Sequence, residues 1–235
     1  FAREAAAPVV ASVREAERVR RSGPRLAGKV IVLDPGHGGS DRGACAHDLC
    51  EADVVLDLAS RIEGRLAATG VRAYPTRGRF NGPSELDRAR FANDIGADLL
   101  VSLHADRHPD PQASGVSTYY YGYYGPAAGR AGSGPTVVSA VGERLAGLIR
   151  RELVARTRLV DGRSHAKTWD LLRRTTMPAV RVEIGYLTNP GDAMLLSRPA
   201  FRDAVAEAVV VAIQRLYLPP DDDYPTGVLR LSDLL

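Results

Sequence analysis

The chain has 235 residues, 45% of them hydrophobic, and a formal net charge of +3. A chain of this length and composition can bury a substantial core, and it fits one domain better than two. Because the net charge is small and the arginines are scattered without forming a block, the composition argues against a nucleic-acid-binding protein. Charged residues interrupt every apolar stretch before it reaches the roughly 18 residues of a membrane span, so we expect no transmembrane helix.

The two ends of the chain differ from its middle. Residues 1–23 place valines and alanines at a roughly helical spacing that a Gly-Pro pair ends, which predicts a lead-in helix. The chain begins at Phe1 without an initiator methionine, which is compatible with removal of a leader. We place one folded domain at residues 24–218 and a proline-rich, acidic tail at residues 219–235.

Short apolar runs alternate with helical patterns through the middle of the chain. Strands are predicted at residues 29–33, 71–74, 98–103 and 179–184. A further strand is predicted from Gly115 through a run of tyrosines, and it leads into a Gly-, Ala- and Ser-rich loop that extends to Pro135. Helices are predicted at residues 52–69, 84–95, 137–154 and 200–217. This alternation predicts a single α/β domain with a largely parallel or mixed central sheet and helices on both faces.

Both cysteines lie in one short segment, with Cys45 and Cys50 on either side of His47. This spacing allows a disulfide across a small loop, which is our prediction and which favours an oxidising compartment. Two reduced thiols are one alternative. A metal site completed by His47 is another, although it lacks a fourth ligand at a usual zinc-site spacing.

Two histidines follow predicted strands. His37 stands in the sequence Asp-Pro-Gly-His-Gly-Gly after the first strand, and His104 follows the strand at 98–103. Because ligands of such sheets collect at the carboxyl ends of the strands, we expect both imidazoles at one edge of the sheet. Taken singly, each histidine is more often a surface residue than a ligand.

A carboxylate would complete a catalytic zinc site, which takes about three protein ligands from His, Asp or Glu and leaves a position for water. Glu51 is the candidate, since it stands at the start of the helix predicted at 52–69. Taken alone, Glu51 is better explained as an acidic residue that the helix dipole favours in a first turn.

Taken together, several separated motifs resemble the zinc-dependent N-acetylmuramoyl-L-alanine amidase family, of the type called amidase 3. They are Asp-Pro-Gly-His-Gly-Gly from Asp34, Glu51 before a helix, Ser-Leu-His-Ala from Ser102, and Val-Glu-Ile-Gly-Tyr-Leu-Thr-Asn-Pro from Val182. The resemblance covers about residues 29–217. Motifs in a shared order are much harder to obtain by chance than a single glycine-rich loop.

The resemblance implies Zn²⁺ as cofactor, His37, Glu51 and His104 as its ligands, and Glu183 as the catalytic base. The implied reaction is hydrolysis of the amide bond between the lactyl group of N-acetylmuramic acid and the L-alanine of the stem peptide. Glu183 would take a proton from water and pass it to the leaving nitrogen. Peptidoglycan or a muropeptide is then the partner, and we expect a monomer that is secreted or held in the cell envelope.

Some residues keep alternative interpretations. Glu183 also fits a buried structural carboxylate paired with Arg181 or Arg77. Arg77 and His165 are candidate substrate-binding residues. His165 stands in a segment that replaces the usual arginine-glycine stretch of the family, where it would be a polar partner of the tetrahedral intermediate, or else a surface histidine. Asp106 departs from the family's usual asparagine after His-Ala.

Two other functions remain as rivals. A zinc peptidase or deacylase of another amide would use the same metal and release a different product, which mass spectrometry distinguishes. A wall-binding or regulatory module would keep the fold without turnover, and a blocked or metal-free site would favour it.

Overall fold

The computed structural model describes residues 26–123 and 137–218. The lead-in helix predicted at 1–23 and the tail predicted at 219–235 lie outside the described residues. The strands within the described ranges are β1 (Val30–Pro35), β2 (Cys45–Ala46), β3 (Leu49–Cys50), β4 (Arg72–Pro75), β5 (Leu99–Asp106), β6 (Val116–Tyr123), β7 (Val137–Val138), β8 (Asp161–Lys167) and β9 (Ala179–Tyr186). The helices there are α1 (Glu51–Ala68), α2 (Glu85–Asp94), α3 (Ala140–Thr157), α4 (Asp170–Arg174), α5 (Pro190–Leu196) and α6 (Pro199–Leu216).

The central sheet has the strand order β4-β1-β5-β9-β6-β7, and β8 also pairs with β6. The strands β4, β1, β5 and β9 run parallel to one another. The sheet becomes mixed at β6, which is antiparallel to β9 and parallel to β8. A single α/β domain with a mixed sheet is therefore confirmed.

Alternate residues of the central strands pack against different helices, because successive side chains of a strand point to opposite faces. Ile31 and Leu99 belong to the larger apolar cluster, which includes residues of α1, α3 and α6. Val32 and Leu100 belong to a smaller cluster with residues of α2 and α4. Apolar runs without polar alternation suit strands that are covered on both sides. The prediction of helices on both faces is confirmed.

Several element boundaries differ from the prediction. The strand β5 continues to Asp106, so His104 lies inside the strand and not beyond its end. The helix predicted from residue 137 begins at Ala140, because the Ser139 side chain accepts a hydrogen bond from the N–H of Gly142 and caps the helix there. Ser84 caps α2 in the same way and accepts from the N–H of Asp87.

Three short strands and one edge strand were not predicted. They are β2, β3, β7 and β8. In the described part of the chain, no helix is both long enough and apolar enough to cross a membrane.

Candidate functional site

The loop that carries His37 leaves the carboxyl end of β1 in a strained conformation. His37 has a φ of 59°, in the left-handed region that residues other than glycine rarely adopt. Just before it, a Cβ atom on Gly36 would lie 2.1 Å from the ring of His104. Glycine at this position therefore allows the loop to lie directly against the histidine of β5.

Two buried arginines hold this loop by its backbone. Arg77 donates from Nε to the carbonyl oxygen of Pro35 (2.7 Å) and from Nη2 to those of Gly36 (2.7 Å) and Ala52 (2.9 Å). Since Ala52 follows Glu51, one guanidinium group links the loop before His37 to the beginning of α1. Arg77 is 3% exposed. The guanidinium group that we predicted as a substrate contact is thus directed at backbone carbonyls.

The second arginine, Arg88, neutralises a buried carboxylate. Its Nη1 donates to Oδ1 of Asp34 (2.7 Å), and its Nη2 donates to the carbonyl oxygen of His37 (2.6 Å). Burial acts to raise the pKa of Asp34, but the Arg88 charge and hydrogen bonds from Ser102 and Thr76 outweigh it, so that the pKa lies below its ordinary value. Asp34 is therefore ionised and paired beneath the loop.

Glu51 is positioned by a disulfide-closed hairpin. Cys45 and Cys50 face each other across β2 and β3 and form the predicted disulfide. The turn between them places His47 and Asp48 at φ of 51° and 60°, a pair of positive values typical of a two-residue hairpin turn. His47 is accordingly a turn residue. Glu51 begins α1 directly after the hairpin.

The three predicted ligand residues come together. Atoms of His37, Glu51 and His104 that can bind a metal lie within 4.8 Å of one another. His37 Nε2 is 3.0 Å from Glu51 Oε2, and His104 Nδ1 is 2.8 Å from Glu51 Oε1. Backbone N–H groups of Ala44 and Ala105 donate to the same carboxylate. The arrangement is that of a site able to hold a metal ion.

The charge state of this cluster follows from its contacts. Burial acts to raise the pKa of Glu51, but hydrogen bonds with His104 and His37 outweigh it and hold the pKa below its ordinary value. Asp41 Oδ2 lies 2.8 Å from the other ring nitrogen of His37, Nδ1. A carboxylate in this position fixes the tautomer of the ring and leaves Nε2 directed at Glu51. The sequence interpretation missed Asp41, and its position four residues after His37 in a glycine-rich loop was the available signal.

Glu183 lies beside the cluster on β9. It is the register partner of His104 across β5 and β9, and it is 2% exposed. Its Oε1 accepts a hydrogen bond from Nε of Arg181 (2.7 Å), and its Oε2 has no hydrogen-bond partner among the described residues. Burial raises the pKa of Glu183, and the Arg181 charge offsets part of that effect. A carboxylate with one oxygen free and a raised pKa suits proton transfer.

A cleft of about 250 Å³ opens at this end of the sheet. Its lining includes His37, His104 and Arg181 together with residues 82–85 of the segment that enters α2. Two histidines of the cluster and the arginine that binds Glu183 therefore border one space.

His165, the remaining candidate for substrate binding, lies on the edge strand β8. His165 is exposed on β8, where Nε2 is 2.8 Å from the carbonyl oxygen of Gly162 and the ring stacks on Tyr119 with centroids 5.5 Å apart. Tyr119 in turn contacts Trp169, which the sequence interpretation did not single out.

Fold and site together define a class of protein. It is a single α/β domain in which a His–Glu–His cluster able to hold a metal ion borders a cleft and has a buried glutamate beside it. A family model described as N-acetylmuramoyl-L-alanine amidase matches residues 31–215, and the chain belongs to this family. The assignment to this family that the sequence motifs indicated is thereby confirmed.

Individual relatives agree with this assignment. The chain is 46% identical to N-acetylmuramoyl-L-alanine amidase CwlM of Mycobacterium tuberculosis over 228 residues, which cover 95% of this chain and 54% of the relative. It is 31% identical to the germination-specific N-acetylmuramoyl-L-alanine amidase of Bacillus subtilis, with 84% of this chain and 83% of the relative covered. Its fold is similar to the crystal structure of N-acetylmuramoyl-L-alanine amidase from Clostridium difficile 630, with a TM-score of 0.73, 25% identity, and 85% of this chain and 100% of that one covered. The chain thus spans about half the length of the M. tuberculosis relative.

Proposed function

We propose that this chain is a zinc-dependent peptidoglycan amidase that cleaves the bond between the lactyl group of N-acetylmuramic acid and L-alanine. The observation that carries the proposal is the convergence of His37, Glu51 and His104 on one centre, with Glu183 adjacent. Membership of the N-acetylmuramoyl-L-alanine amidase family supports the lactyl–L-alanine bond as the amide that is cleaved.

The residues present fit a zinc ion. Two imidazoles and one carboxylate are a donor set of catalytic zinc sites, which keep a further position open. Glu51 is ionised, which is the form that binds a metal, and Asp41 orients the ring of His37. When bound, zinc supplies Lewis-acid chemistry, because it polarises a carbonyl group and acidifies water.

The protein's own contribution to the reaction centres on Glu183. Its unpaired Oε2 accepts a proton from the attacking water and returns it to the departing L-alanine nitrogen. The hydrogen bond from Arg181 to Oε1 holds the carboxylate in one orientation. The raised pKa favours uptake of the proton from water, since a weaker acid has a stronger conjugate base.

The site of action that we propose is outside the cytoplasm, in the cell envelope. The disulfide between Cys45 and Cys50 supports this location, because such bonds persist mainly in oxidising compartments.

The test combines metal analysis with digestion of purified muropeptides. The wild-type chain is expected to contain zinc and to release free stem peptides with L-alanine at the amino terminus, identified by mass spectrometry. Glu183→Gln keeps the shape of the side chain and removes its basicity, so turnover should fall by about 10²- to 10⁴-fold while zinc content stays unchanged.

A matched control is Glu63→Gln, which alters a half-buried glutamate of α1 that lies outside the cluster and the cleft. Cleavage at a different amide would identify another zinc hydrolase. Undiminished turnover by Glu183→Gln would show that Glu183 is not the base.

A further inference from the structure

The sheet face that carries Glu183 continues onto β6 and β8. Tyr119 is the register partner of Arg181, and His165 is the register partner of Tyr119. Lys167 follows His165 by two residues on β8. Because paired residues and residues two apart project from the same face of a sheet, these side chains extend from the base toward the edge strand.

Trp169 joins these side chains into one cluster. Its ring centroid is 4.7 Å from that of Tyr119. The guanidinium carbon of Arg181 lies 4.8 Å from the Trp169 centroid, and Nζ of Lys167 lies 5.7 Å from it. Both distances are within the roughly 6 Å at which a cation is attracted to an aromatic ring. Two positive charges are thereby held at one indole.

Both cations retain capacity for a ligand. Arg181 lines the cleft and uses Nε for Glu183, while its Nη1 is 3.9 Å from Oε1 of Glu85, beyond hydrogen-bond reach. Neither terminal nitrogen of Arg181 makes a hydrogen bond within residues 26–123 and 137–218, and Lys167 forms no ion pair there. Lys167 is exposed. The cluster therefore presents several N–H donors to an anionic group.

This step rests on the proposed function. The position of the cluster next to the base then indicates which anionic group of the substrate it would bind. Glu183 acts at the scissile amide, and Arg181 lies 2.7 Å from Glu183. The guanidinium group is then within one or two residues of the amide, since an extended peptide advances about 3.3–3.6 Å per residue. In a peptidoglycan stem, the residue after L-alanine is D-glutamate, whose α-carboxyl group is either free or amidated.

We propose that Arg181, Lys167 and Trp169 form a subsite that binds the free α-carboxylate of the second stem residue. Two cations favour a carboxylate over a neutral amide, because hydrogen bonds between charged groups are about twice as strong as neutral ones. The subsite would make the enzyme select stems by their amidation.

The test uses two muropeptides that differ only in that group, D-glutamate or D-isoglutamine. Wild-type kcat/KM is expected to be about tenfold higher for the free carboxylate. Lys167→Met keeps most of the aliphatic chain and removes the charge. It should raise KM for the carboxylate substrate at least threefold and leave the amidated substrate unchanged, and Lys167→Arg should restore the preference. Arg90→Met, which removes an exposed charge from α2, is the matched control.

Failure of this inference is distinct from failure of the proposed function. If the wild-type enzyme cleaves both muropeptides with equal kcat/KM, or if Lys167→Met slows both equally, the carboxylate subsite is wrong while the amidase activity stands. If the wild-type enzyme cleaves neither at the lactyl amide, the proposed function itself is wrong.

Discussion

The metal end of the cleft and the face formed by β6 and β8 are built in different ways. At the metal end, buried guanidinium groups bind backbone carbonyls, and a disulfide closes the hairpin before Glu51. On β6 and β8, the half-buried Tyr119 and the exposed Lys167 each contact Trp169 without such anchoring. The metal ligands are therefore fixed through the main chain, whereas the proposed substrate contacts are held by contacts between side chains.

The largest effect on this difference is expected from removing the guanidinium group of Arg88, which holds the loop that carries His37. Arg88→Ala leaves the carboxylate of Asp34 buried without its cation, which should lower the free energy of unfolding by about 3–5 kcal/mol. Urea denaturation of the two proteins measures the difference. Arg90→Ala in the same helix breaks an exposed ion pair and should change stability by less than about 0.5 kcal/mol. Equal effects of the two changes would mean that Arg88 does not anchor the loop.

A milder change separates positioning of the metal ligands from stability of the fold. Arg77→Lys keeps the charge but cannot reproduce the paired bonds from Nε to the carbonyl of Pro35 and from Nη2 to that of Gly36, because an ammonium group lacks the planar fork. Zinc affinity, measured by competition with a chelator, should fall about 10- to 100-fold.

Arg79→Lys, an exposed neighbour, should leave zinc affinity unchanged. A loss of stability in Arg77→Lys with unaltered zinc affinity would assign Arg77 to the fold alone.

The disulfide offers the smallest of the three perturbations. Replacing Cys45 and Cys50 together by serine releases a short loop, which should lower the free energy of unfolding by about 2 kcal/mol. Thermal unfolding with and without a reducing agent checks this, since the reductant should destabilise the wild type and leave the double variant unaffected. A wild type that is insensitive to complete reduction would contradict a stabilising role for this bond.

Much of the fold could be predicted because its central elements carry strong patterns. The apolar runs of β1 and β5 and the helical spacing in α1 follow directly from burial. The strand β8 escaped prediction because it is an edge strand with polar, largely exposed residues, which give no apolar alternation.

The candidate site also has parts that could be predicted from the sequence and parts that could not. Strand ends meet at one edge of a parallel sheet, so the proximity of His37 and His104 could be expected from the sequence. The role of Arg77 could not be predicted. Its partners are backbone carbonyls, which every residue has, so the sequence does not show which of them it binds. The cluster around Trp169 joins the strands β6, β8 and β9, and the pairing of β6 with β8 that assembles it was not predicted.

The most direct test of the central claim is anomalous diffraction at the zinc edge from crystals of the zinc-loaded protein. The account predicts one strong peak, about 2.0–2.2 Å from a nitrogen or oxygen atom of each of His37, Glu51 and His104. A zinc peak elsewhere, with this cluster empty, would contradict it.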